Sequence, residues 1–135
     1  RRVNKESMMN GVMNGLRIIL LTGGVSEAVR LRYSRLGVED IFMGSAVKLD
    51  TYSEYIATHG LSAAEIIYVG DDIPDFEVMS RVGCPCCPSD ACDEIKSVSV
   101  YVSPYAGGYG CGRDVLEQVM KAKGLWMKKD KAFGW

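Results

Sequence analysis

From Leu16 onward the chain alternates short apolar runs with segments whose apolar residues recur at helical spacing, the pattern of a parallel sheet covered by helices. The run LRIILL (residues 16–21) suits a central strand, because a parallel strand is buried on both faces and shows little polar alternation. Thr22, Gly23 and Gly24 follow as its turn. Ser26 is placed to cap the next helix, in which Val29, Tyr33 and Leu36 share a face and after which Gly37 ends the helix. Residues 40–43 read as a second strand and 47–59 as a helix with Leu49, Tyr52 and Ile56 on one side. Ser62-Ala63-Ala64-Glu65 is a capping-box pattern, but the strand IIYV (66–69) follows so soon that only a single turn fits. An acidic loop comes next, with Pro74 suited to the first turn of a helix over 75–82. Further along, 84–87 read as a strand, 91–97 as a short helix, 98–103 as another strand, 104–112 as a glycine-rich loop and 114–123 as an amphipathic helix. The tail after residue 124 has no clear period, and no internal repeat or low-complexity linker occurs.

A length of 135 residues, 47% hydrophobic and 24% charged, suits one compact domain with a core of useful size. Sixteen basic against seventeen acidic residues give a net charge of -1, so no global field draws the protein to nucleic acid or to an anionic membrane; a small soluble partner is expected. No apolar stretch approaches the roughly 20 residues of a membrane span, and no charged-then-apolar signal opens the chain, so a cytoplasmic location is expected. The chain opens Arg1-Arg2-Val3 without an initiator methionine, as a processed form or a part of a longer product would. Four of the five cysteines crowd GCPCCPSDAC, but no second pair or nearby histidine closes a tetrahedral metal site. They read as small apolar residues of a buried strand in a reducing compartment. His59, the only histidine, stands before Gly60 as a helix C-terminal cap rather than a catalyst, and Trp126 and Trp135 flank a basic tail as packing residues.

In parallel α/β sheets ligands gather beyond the carboxyl ends of the strands. Three polar features fall at such ends: Thr22 after LRIILL, Lys48 just past the second strand, and Asp71, Asp72 and Asp75 after IIYV. Each alone has an ordinary structural reading, as a turn, a solvated lysine and a capping loop. Together, a hydroxyl with free backbone amides, an ammonium and a carboxylate cluster suit a phosphate group neutralised by Mg2+.

Hydroxyl, then lysine, then Gly-Asp-Asp-x-x-Asp, each after a separate strand, is the motif order of the haloacid dehalogenase superfamily. The blocks RIILLTGG, MGSAVKLD, IIYVGDDIPDFEVMSRVG and AGGYGCGRDVLEQVMKAKG, over about 14–124, resemble its capless sugar-acid phosphatases, the Kdo 8-phosphate phosphatase type with KDN and sialic acid 9-phosphate phosphatases as relatives. The resemblance implies a Rossmann-like three-layer sandwich with a parallel sheet. It implies Mg2+ as cofactor, a phosphorylated sugar acid as substrate and a homotetramer in which adjacent subunits close each other's sites. By the same resemblance Thr22 and the Gly23 amide would bind phosphoryl oxygens, and Lys48 would offset their charge. Asp71 would be the direct metal ligand, Asp72 a more remote or water-mediated one, and Asp75 would orient Lys48 or the loop. Gly107, Gly108 and Arg113 would meet the substrate's carboxylate.

The chain departs from the family in two places. Relatives commonly carry Thr-Gly-Arg where Thr22-Gly23-Gly24 stands, which removes an arginine near the phosphate. The family's Asp-x-Asp-Gly, which holds the nucleophile and the general acid/base, does not occur in the 135 residues. The expectation is therefore a single phosphatase domain over 1–135 whose first strand and nucleophile loop precede it in the complete protein. Two other readings compete. A phosphoacceptor signalling domain also combines an acidic pair, a hydroxyl residue and a lysine, but in the reverse order. A non-catalytic subunit or scaffold would keep the fold without the nucleophile.

Overall fold

All pairings between strands are parallel among the described residues. In the computed structural model these are 19–21, 27–35, 38, 40–44, 47–107 and 110–122, with only the backbone at 20, 29, 32 and 33. β1 (Ile19–Leu21) pairs with β2 (Asp40–Phe42), setting Ile19 opposite Asp40. β3 (Ile67–Val69) pairs with β4 (Cys84–Cys87), and β4 with β5 (Tyr101–Val102), giving the order β3-β4-β5. Helices alternate with them: α1 (Glu27–Ser34), α2 (Lys48–His59), α3 (Phe76–Met79), α4 (Asp93–Val98) and α5 (Cys111–Ala122).

Successive residues of a strand point to opposite faces, and β4 shows what covers each. Cys86 packs with Cys111 and Val115 of α5, whereas Cys87 packs with Met79, Ala91 and Ile95 on the side of α3 and α4. A further cluster of Tyr52, Val78 and Val82 joins α2 to α3, with Leu49, Ile56, Ile66 and Tyr68 against it. The three-stranded sheet β3-β4-β5 thus lies between two helical layers, in the α/β arrangement that the alternation of patterns predicts, while β1 and β2 form a separate parallel pair among the described residues. The Cys84 to Cys87 run is a strand, and all five cysteines are free thiols. Burial first, then the neighbouring thiols, push Cys86 up to about 12, so it behaves as an apolar residue rather than a nucleophile.

Several boundaries differ from expectation for local reasons. The helix expected over 75–82 is a 3-10 turn, Ile73–Asp75, followed by α3. Ser62 makes no side-chain capping bond, because a three-residue turn, Ala63–Glu65, closes through the Glu65 amide on the Ser62 carbonyl instead. Val98 ends α4, where it packs against the Met79 cluster, which shortens the next strand to Tyr101–Val102. α5 begins at Cys111, earlier than expected, after Gly110 at φ 104 turns the chain and the Asp114 amide bonds the Gly110 carbonyl. α2 is closed by Gly60 at φ 62, whose N–H donates to the Ile56 carbonyl, while His59 stacks on Tyr55 with its Nδ1 3.0 Å from the Tyr55 carbonyl. Ser26, Leu36, Gly37 and the side chains of Val29 and Tyr33 lie outside the described residues. No helix among the described residues is long and apolar enough to cross a membrane.

Candidate functional site

The loop after β3 folds back over the end of its own strand. The Gly70 amide continues the ladder by donating to the Cys86 carbonyl at 3.1 Å. A Cβ on Gly70 would lie 2.6 Å from Asp75 Cβ and 2.8 Å from Met79 Sδ, so only glycine leaves room for the return. Asp72 and Asp75 then bracket the turn as a reciprocal cap. Asp72 Oδ1 accepts the Ile73 amide at 2.8 Å, and Asp75 Oδ2 accepts the Asp71 and Asp72 amides at 3.1 and 3.4 Å.

The other oxygen of Asp75 accepts from two side chains: Lys48 Nζ at 2.8 Å and the Tyr68 hydroxyl at 2.7 Å. Asp75 is 3% exposed, and these contacts fill the lone-pair positions a carboxylate offers. A buried charge so paired and bonded is tolerable, whereas one left without its cation would be costly. Lys48 is the first residue of α2, where the helix dipole gives a cation no help, so Asp75 is what holds it. Its side chain remains 19% exposed, open to whatever lies beyond the strand ends. Tyr68 stays protonated: burial first, then the charge and the hydrogen bond of Asp75, push its phenol far above the ordinary tyrosine range.

Lys48, Asp71, Asp72 and Asp75 are thus brought together by β3, its loop and the start of α2. Among the described residues no three His, Cys, Asp or Glu side chains gather as a metal cage. With Asp75 saturated, a divalent cation at this end of β3 would have to draw on Asp71 or Asp72. Asp72, expected as a more remote metal partner, carries its carboxylate on the exposed side of the turn. Thr22, Gly23 and Gly108 lie outside the described residues.

At the start of the glycine-rich loop, the Gly107 amide donates to Asp90 Oδ1 at 2.8 Å, tying the loop to the turn after β4. Arg113 is exposed in the first turn of α5. Beside it Asp114 is buried and accepts the Tyr101 hydroxyl at 2.6 Å and Ser103 Oγ at 2.8 Å. That hydrogen bond, more than burial, pushes Tyr101 up to about 12.

The motif order does not single out Tyr68 or Asp114. The signal for Tyr68 was its place two residues before Gly-Asp-Asp: a tyrosine in an otherwise apolar run, packed by its ring, needs a partner for its hydroxyl. Asp114 reads as a solvated acid at a helix start.

No family model matches the sequence. The 3-deoxy-D-manno-octulosonate 8-phosphate phosphatase of Escherichia coli is 30% identical over 119 residues, 88% of this chain and 62% of that protein. The same-named protein of Salmonella typhi is 30% identical over 121 residues, 90% of this chain and 63% of that protein. The chain therefore spans about three fifths of the length of the curated relatives it matches. Among solved structures, the phosphatase of that name from Moraxella catarrhalis, in complex with magnesium ion, phosphate ion and KDO, superposes with a TM-score of 0.84 at 27% identity. It covers 87% of this chain and 68% of that one. Fold, motif order and these likenesses agree: the chain belongs to the haloacid dehalogenase superfamily, in its Kdo 8-phosphate phosphatase-like branch.

Proposed function

We propose that the complete protein is a Mg2+-dependent phosphatase that hydrolyses the phosphate monoester of a 3-deoxy sugar acid, Kdo 8-phosphate or a KDN or sialic acid 9-phosphate. The observation that carries the reading is the buried Asp75 carboxylate, which joins Lys48 to the acidic loop at the end of β3. The relatives' names and the magnesium, phosphate and KDO of the Moraxella structure support it.

The donors fit the metal. Mg2+ prefers oxygen ligands and commonly takes one or two carboxylates together with substrate phosphate and water, which matches Asp71 at the loop without a full protein cage. When bound, it would supply neutralisation of a phosphoryl oxygen. Lys48, aimed by Asp75, offsets negative charge on the phosphoryl group, with Thr22 and the Gly23 amide as further donors. The nucleophile is an aspartate of an Asp-x-Asp-Gly segment outside these 135 residues; it forms a phosphoaspartate that water cleaves. The edge of β3 supports that arrangement, since among the described residues it pairs on one side only. Such an edge accepts a further parallel strand. The same reading places the protein in the cytoplasm as a homotetramer. A non-catalytic subunit or scaffold with the haloacid dehalogenase fold is the alternative, and intact mass set against the gene's reading frame separates the two.

Substrate choice is assigned to the rim, where Gly107, Gly108 and Arg113 would meet the sugar acid's carboxylate. Arg113→Ala in the complete protein should lower kcat/KM for sugar-acid phosphates about 10-fold or more, the effect of losing a charge-assisted bond of roughly 1.5–3 kcal/mol. Hydrolysis of a simple aryl phosphate should be nearly unchanged. Equal losses on both substrates would show that Arg113 supports the fold, and would remove the rim argument for a sugar acid.

A further inference from the structure

Lys48 shares its anchor. Asp75 Oδ1 accepts Lys48 Nζ and the Tyr68 hydroxyl together, while Oδ2 accepts the two loop amides. These donors differ in mobility. The amides are fixed by the turn. The Tyr68 ring packs against both the Met79–Ile95 cluster and the Tyr52–Val78 cluster, so its hydroxyl is held by a rigid ring at mid-strand. Lys48 alone sits on a flexible stem, and its side chain is 19% exposed.

We propose that Tyr68 is a positioning residue for Lys48: its hydroxyl holds Oδ1 in place and shares that oxygen, so the ammonium is aimed by Asp75 yet can turn from it to an incoming phosphate oxygen. When Lys48 turns away, the buried Asp75 charge keeps three donors rather than two. Without the hydroxyl, Lys48 is the sole side-chain donor to a buried carboxylate and is retained there. The inference rests on reading Lys48 as the phosphate-facing cation.

Two readouts on the complete protein test it. In Tyr68→Phe, inhibition by inorganic phosphate should weaken roughly tenfold, the share of one charge-assisted hydrogen bond, and KM for an aryl phosphate should rise more than kcat falls. Independently of activity, reductive methylation of Lys48, followed by mass spectrometry, should be several-fold slower in Tyr68→Phe than in the parent and faster in Asp75→Asn. Because Tyr68 acts through Asp75, the double variant should label like Asp75→Asn alone, which a merely structural tyrosine would not produce. Unchanged or faster labelling in Tyr68→Phe, or effects that simply add in the double variant, would overturn the proposal. If the parent hydrolyses no monoester, the phosphatase reading fails, and the labelling result still decides whether Tyr68 governs Lys48.

Discussion

Asp71→Asn in the complete protein is expected to cut Mg2+-dependent phosphate release by about 10^3-fold, since a metal stabilises the transferring group by several kcal/mol and roughly 4 kcal/mol corresponds to that factor. The reason lies in how the three loop carboxylates are used. Asp75 is filled by Lys48, Tyr68 and two amides, and Asp72 is turned to the Ile73 amide. Asp75 thus has no lone pair left for a metal, and Asp71 is the ligand in the proposed reading. Asp72→Asn should cost much less, because asparagine caps a turn about as well as aspartate. Rate measured against Mg2+ concentration separates the cases. An Asp71→Asn enzyme that matched the parent at saturating Mg2+ would remove Asp71 as a ligand.

Gly70→Ala should be the most damaging single methyl in the loop. The added Cβ would stand 2.6 and 2.7 Å from Asp75 Cβ and Cγ and 2.8 Å from Met79 Sδ. Neither neighbour can yield cheaply: Asp75 is fixed by its hydrogen bonds, and Met79 is 1% exposed within the core. Overpacking of this kind costs about 1–3 kcal/mol, and relief by moving Asp75 would also release Lys48. Denaturant unfolding should therefore show a loss near the top of that range, together with a collapse of activity. Gly60→Ala is the contrast: Gly60 has φ +62 but open space around its Cβ position, so it should lose about 1 kcal/mol of stability and leave turnover intact. Equal activity in Gly70→Ala and Gly60→Ala would contradict the loop's role in holding the site.

The alternation of strands and helices was legible because short apolar runs such as IIYV and CPCC suit strands of a parallel sheet, and helical spacing at Leu49, Tyr52 and Ile56 has one natural packing. The neighbourhood of Lys48 and the acidic loop was legible from motif order, since each follows a strand of a parallel pair, and the 2.8 Å contact of Lys48 with Asp75 bears it out. Boundaries were less so. In VSVYVS the alternation cannot tell a last helical turn from a strand, and burial of Val98 against the Met79 cluster decides for the helix. The early start of α5 depends on Gly110 at φ 104, a backbone state that no side-chain pattern encodes. Tyr68 reads as a strand former because its partner, Asp75, comes within reach only when the loop folds back. Asp114 looks like a surface acid until Tyr101 and Ser103 close over it.

On the proposed function, the complete protein releases phosphate from a sugar-acid phosphate with a divalent metal at the end of β3. Phosphate release from Kdo 8-phosphate, measured before and after chelation and again after Mg2+ is restored, tests it most directly. Chelation should abolish turnover, and Mg2+ should recover it in the parent but not in Asp71→Asn. Release unaffected by chelation, or no release from any phosphate monoester with Mg2+ present, would contradict it.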